Sequence, residues 1–156
     1  MATSSVRPVN VSCQIPADPS DVLAFVADTR NDPLWCPNVS NVTQVEDDGV
    51  ALGTRFRFHQ TVEAGGRKLE SDVDVEVVGL TEDSVSWRVE DRFQIRDVTL
   101  TVEPHGNGTK VRQNTVATFK KPPGLARWLY PLLARKTFRD QFSRLAEHFS
   151  SPRAAP

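Results

Sequence analysis

The chain has no apolar run long enough to cross a bilayer. Its longest apolar patch, residues 128–134, falls far short of the roughly 20 residues a spanning helix needs. No leader-like apolar segment occupies residues 1–8 either, so the expected setting is the cytoplasm. Cysteine is confined to Cys13 and Cys36, which have neither C-x-x-C spacing nor the number for a disulfide framework; both are expected to be buried thiols. The three histidines, His59, His105 and His148, show no Ser/His/Asp or Cys/His grouping and no metal-ligand spacing, and no metal or cofactor is expected. Glycine is sparse, and Gly65-Gly66 and Gly106-Asn107-Gly108 read as hairpin turns rather than a phosphate-binding loop. A net charge of −1 provides no field to recruit nucleic acid. Hydrophobic residues at 38% suffice for one core, so a single domain over residues 1–156 is expected, with an ordered part at about 6–149 and frayed ends.

What the chain does have is alternation. Val9, Val11, Cys13 and Ile15 alternate with polar residues and read as a half-buried first strand. In the segment PADPSDVLAFVAD, Asp18 is placed to cap a helix, Pro19 suits its first position, and Val22, Phe25 and Val26 form its apolar stripe. Asn31, Asp32 and Pro33 interrupt that pattern, so a second short helical turn should carry Trp35. Residues 39–119 then read as antiparallel strands. A two-residue turn at Gly65-Gly66 pairs Phe56 with Val75, Phe58 with Val73, Gln60 with Ser71 and Val62 with Leu69 on one face. The other face pairs Arg55 with Glu76, Arg57 with Asp74, His59 with Asp72 and Glu63 with Lys68, each opposite in sign or hydrogen-bonding character. A one-residue slip would ruin both faces, which fixes the register. A second hairpin at residues 105–108 pairs Val102 with Val111, Leu100 with Gln113 and Val98 with Thr115 inside, and Glu103 with Lys110 outside. Val85, Trp87 and Val89 continue the inner face.

A long basic-amphipathic helix is predicted over residues 124–149. Its stripe is read as Leu125, Trp128, Leu129, Leu132, Phe138, Phe142, Leu145 and Phe149, with Pro131 expected to kink it or divide it at Tyr130. One helix cannot seal so long a sheet unless the sheet curls around it. The curl would leave an interior suited to a small apolar molecule. The expected walls are Trp35, Phe56, Phe58, Trp87, Trp128 and Phe142. Gln60, Ser71, Gln113 and Thr115 add inward polar groups, which must bond to one another, to water or to a ligand. Arg96 shares the parity of Val98 and Leu100 and points toward the cavity mouth or pairs with Asp91 at the rim. Lys120, Lys121, Arg127 and Trp128 form either the solvated face of the closing helix or a peripheral contact with anionic membrane.

The fold class expected is α+β: a strand, two short helices, a curved antiparallel sheet and one long C-terminal helix. This order, with PADPSDVLAFVAD followed by Trp35, the Gly53-Thr54-Arg55-Phe56 strand opening, and LARWLYPLLARKTFRDQFSRLAEHF, resembles the helix-grip fold of the START-like or SRPBCC (Bet v 1-like) superfamily. The resemblance is to its bacterial polyketide cyclase/dehydrase and lipid-transport branch and covers residues 9–149. It implies a hydrophobic-ligand cavity and leaves the chemistry open. The reading is a monomeric or homodimeric binder of a small hydrophobic, polyketide-like or lipid-like ligand. The rivals are a cyclase/aromatase-type enzyme using Asp91, Arg96 or Gln113 for acid/base assistance, and a non-enzymatic protein-interaction module.

Overall fold

In the computed structural model, which describes residues 4–5, 7–46, 49–64, 66–120, 124 and 126–150, the strands form one antiparallel sheet. The strands are β1 (Ser4–Ser5), β2 (Val9–Ile15), β3 (Val39–Gln44), β4 (Arg55–Ala64), β5 (Arg67–Leu80), β6 (Ser84–Glu90), β7 (Gln94–His105) and β8 (Gly108–Phe119). Helix α1 (Pro19–Ala27) and a 3-10 helix (Thr29–Leu34) follow β2, and α2 (Ala126–Ser150) closes the chain. From β3 to β8 each strand pairs with the next in sequence, and β1 and β2 both pair with β8. This is the curved, unclosed sheet with a C-terminal helix that the alternation implied.

Both hairpins have the expected register. Phe58 faces Val73, His59 faces Asp72 and Glu63 faces Lys68 across β4 and β5. Gly66 takes a φ of 76°, as such a turn requires, while Gly65 lies outside the described residues. Across β7 and β8, Leu100 faces Gln113 and Val98 faces Thr115. The outer face carries exposed pairs such as Arg57 with Asp74 at 2.9 Å, and His59 lies 3.4 Å from Asp72. The register shifts between Ser40 and Thr43 and between Val77 and Gly79 are bulges, the devices that bend a sheet. Asn41 at the first of them has a φ of 53°.

Where β2 lies along β8, the backbones come close at Gly108. A Cβ there would collide with the Ile15 carbonyl oxygen and sit 3.3 Å from Pro16 Cα. Both neighbours are backbone and cannot swing aside. Gly108→Ala is therefore expected to destabilise the protein by about 1–3 kcal/mol, the usual scale for overpacking. A shift of the urea midpoint without a change in slope would record it.

Three expectations need correction. Asp18 occupies the N-cap of α1, but its side chain makes no capping bond; its carbonyl accepts from Asp21 and Val22 instead. Pro131 lies inside α2 yet does not divide it, and the helix runs unbroken from Ala126 to Ser150. That proline stands in the second turn, so it removes only one early backbone bond and leaves the rest to propagate. The third correction follows from the second. An unbroken helix turns about 100° per residue, so Leu129 points about 180° and Leu132 about 120° away from Phe138. They cannot share one stripe. The buried stripe is Ala134, Phe138, Phe142 and Leu145, whereas Trp128, Leu129, Leu132 and Leu133 are exposed. Leu125 lies outside the described residues.

Candidate functional site

Between the sheet and α2 lie two adjoining chambers. The inner one, about 130 Å³, is walled by Trp35, Phe58, Trp87 and Val98, with Asp32, Cys36, Gln113, Thr137 and Gln141 among its polar lining. The outer one, about 290 Å³, is bounded by Val62, Leu69, Ser71, Asp91, Phe93, Tyr130 and Leu133. Asn38, Gln60, Arg96, Thr137 and Phe138 line both and mark the junction. Ligand pockets for drug-sized molecules run to roughly 300–1,000 Å³. The inner chamber alone therefore takes a ring or a short acyl group, and a longer body must extend into the outer one.

Each expected site residue can now be placed. Trp35, Phe58, Trp87 and Gln113 face the inner chamber, Gln60 and Arg96 the junction, and Ser71 and Asp91 the outer chamber. Phe56, Thr115 and Phe142 line neither; all three are fully buried packing residues. Phe142 stacks on Trp35 from behind, with centroids 6.3 Å apart. Thr115 accepts a 3.3 Å bond from the Gln113 amide, so those two polar groups satisfy each other. Trp128 is 76% exposed and lines neither chamber. Lys121 and the Arg127 side chain lie outside the described residues.

Arg96 is the centre of the site. Parity on β7 sends it inward beside Val98. Its Nη2 donates to Gln60 Oε1 at 3.4 Å, a long bond, and its buried Nε has no partner. Asp91 does not pair with it. That carboxylate instead accepts from the backbone N–H groups of Phe93 at 2.7 Å and Gln94 at 2.9 Å, fixing the turn between β6 and β7. Asp91 thus holds this turn while it lines the outer chamber. The buried indole N–H of Trp87 is likewise unpartnered. Such groups cost about 1–3 kcal/mol each when left unpaired, so the chamber offers hydrogen-bond donors to an acceptor.

Sequence reasoning missed Asp32. The residue as a whole is half-buried, but its carboxyl is turned inward onto the inner chamber. Burial first, then the neighbouring Asp28, hold its pKa well above the ordinary carboxylate value. The Trp35 indole partly offsets this, although its N–H makes no hydrogen bond of full geometry. Asp28 itself is held low by its bonds to Arg30. The signal was available: side chains three apart eclipse on a 3-10 helix, so Asp32 and Trp35 share a face. Cys36 lies within electrostatic reach of both Asp32 and Arg96, and burial pushes its thiol well up. Burial also raises Cys13, to about 11. Both thiols are therefore protonated near neutrality and are poor nucleophiles. The three histidines do not converge: His59 is on the outer face, His105 meets Gln14 at 2.9 Å, and His148 stacks on Phe25.

The raised Asp32 pKa has a sign that can be checked. A carboxyl whose pKa is higher folded than unfolded favours the folded state less as pH rises from the unfolded value through the folded one. Asp32→Asn removes that penalty with little change of shape. Its melting temperature is expected to exceed the wild type's at neutral pH, with the gap closing below the ordinary carboxylate range. A gap independent of pH would show that the carboxyl is not enclosed.

Comparison with known proteins places the fold. A family profile described as polyketide cyclase / dehydrase and lipid transport matches residues 7–150. No curated protein matches the sequence. Among solved structures, a START superfamily protein from Mycobacterium smegmatis is similar with a TM-score of 0.72 at 17% identity, over 92% of this chain and 97% of that one. TTHA0849 from Thermus thermophilus is similar at 0.69 and 23% identity, over 92% and 97%. Ara h 8.0201 is similar at 0.69 and 13% identity, over 96% and 100%.

Proposed function

Because the chain belongs to the polyketide cyclase/dehydrase and lipid-transport family, we propose that it binds a small molecule with an apolar body and an oxygen-bearing head in the two chambers. One observation carries this reading: the inward, incompletely bonded Arg96 among aromatic walls. Apolar area supplies affinity, while a half-buried guanidinium with an unpartnered Nε favours a carboxylate, enolate or polarised carbonyl over a hydrocarbon. The inner chamber's size favours a ring or acyl head there, with the remainder of a polyketide-like or lipid-like body in the outer chamber.

A second reading, acid/base assistance to a reaction of the bound molecule, is favoured by Asp32. Burial holds the Asp32 carboxyl's pKa well above the ordinary carboxylate value, as suits a group that gives and takes a proton, and Arg96 lines the same chamber to stabilise charge developing on oxygen. Carrier and enzyme readings share the binding step. Native mass spectrometry of the gently purified protein, followed by solvent extraction, tests that step directly. The expected result is a bound species carrying at least one oxygen acceptor. Titration with benzoylacetone and with decanoate should also perturb Trp35 and Trp87 fluorescence. An empty protein whose emission responds to neither probe would overturn the proposal. If a probe binds, deuterium uptake at the carbon between the carbonyls of benzoylacetone, faster than in buffer and lost in Asp32→Asn, supports the enzyme; no acceleration supports the carrier.

A further inference from the structure

The first two turns of α2 present an apolar face that no part of the described chain covers. Trp128 is 76% exposed, Leu129 51%, Leu132 67% and Leu133 62%. The next turns of the same helix carry exposed Arg135, Lys136 and Arg139, and none of these has an ion-pair partner among the described residues. At about 100° per residue, Trp128, Leu132, Arg135 and Arg139 fall within about 60° of one another. One side of the helix is thus apolar at its start and cationic further along. Between Glu103 and Asp140 the chain has no acidic residue, so the helix carries only positive charge up to Arg139, and Asp140 is the first carboxylate to adjoin it.

We propose that this face docks on the surface of an anionic lipid bilayer. Trp128, Leu129, Leu132 and Leu133 enter the interfacial region, where an indole and leucines are accommodated, and Arg135, Lys136 and Arg139 meet the headgroups. The helix lies on the membrane and does not cross it; no helix among the described residues is long and apolar enough to do so. The placement adds a consequence. Leu133 belongs both to this face and to the wall of the outer chamber, which Phe93, 43% exposed, also lines. Lys120, bonded through its backbone N–H to the Phe93 carbonyl, contributes less because its ammonium already pairs with Glu90 at 2.7 Å. Docking therefore brings the edge of the outer chamber to the lipid surface. The docking itself does not depend on which molecule the chambers hold.

The alternative occupant is a second copy of this chain. Sedimentation with vesicles separates the two. The full chain should pellet with equimolar phosphatidylcholine and phosphatidylglycerol vesicles, remain in solution with phosphatidylcholine alone, and be largely released by about 0.5 M salt, which shortens screening to a few ångströms. Trp128→Ala with Leu132→Ala should lower vesicle binding at least about tenfold. Arg135→Glu with Lys136→Glu should do the same, since a basic residue near an anionic surface contributes about fivefold. All four positions are exposed, and unchanged melting temperatures would confirm that the fold is intact. Failure to bind anionic vesicles, or binding by both variants as tight as that of the wild type, overturns the proposal. So does a stable dimer in analytical ultracentrifugation that Trp128→Ala and Leu132→Ala dissolve.

Discussion

Arg96→Met is expected to weaken binding of an oxygen-bearing ligand by about 10- to 150-fold while leaving the fold intact. Hydrogen bonds to a charged group contribute about 1.5–3 kcal/mol, and each 1.4 kcal/mol is tenfold in affinity. Methionine nearly matches the aliphatic reach of arginine and can follow the irregular gap between Gln60 and the aromatic walls. Removing a half-buried, incompletely paired charge should not lower stability, and replacing buried ionic groups with apolar ones often raises it. The pair of readouts is the test, because a structural arginine would lose stability and a ligand arginine would lose affinity. Arg96→Lys sharpens it: the charge stays but the planar fork is lost, so a carboxylate head should be retained better than a diketone held through two oxygens. Decanoate and benzoylacetone titrations, followed through Trp35 and Trp87, would measure both. Affinities unchanged in Arg96→Met would place the site elsewhere.

How much of this was readable from the sequence differs by residue, for physical reasons. The hairpin registers were readable because a strand has a period of two and both faces were constrained at once. Phe58 opposite Val73 and Arg57 opposite Asp74 are mutually enforcing. The same parity sends Arg96 inward, but parity cannot say whether Asp91 reaches it. That depended on the turn, where two backbone N–H groups claimed the carboxylate. Phe56 and Phe142 had the right face and the wrong depth, since an inward side chain can fill the core or border a void and alternation is the same in both cases. Asp32 escapes notice because its segment reads as a helix interruption, whereas in a 3-10 helix the i, i+3 relation joins it to Trp35.

Part of the helix error originates at the proline. Treating Pro131 as a break allows the apolar residues before it to take their own orientation and join the stripe. With the helix continuous, phase is conserved across the proline, and Leu129 points about 180° from Phe138 and off the sheet while Phe138 and Phe142 stay on it. The surface left exposed is what makes a docking face available on the same helix that closes the chambers. Container and contact surface are thus two sides of one element.

That division predicts a sharp contrast within α2. Phe142 is 2% exposed and stacks on Trp35 at an interplanar angle of 10°. Phe142→Ala should cost about 3–5 kcal/mol, combining lost transfer energy with the void left behind. The void would open behind Trp35, whose other side faces the inner chamber, so the indole should gain freedom and water, and its emission should shift to the red. Leu132→Ala, on the outward side of the same helix, should stay within about 0.5 kcal/mol of wild type, as exposed positions usually do. Urea unfolding of the two variants measures both values on one scale. A Leu132→Ala loss as large as that of Phe142→Ala would mean that the first turns of α2 lie against the sheet after all, and the exposed face with its lipid partner would fall with it.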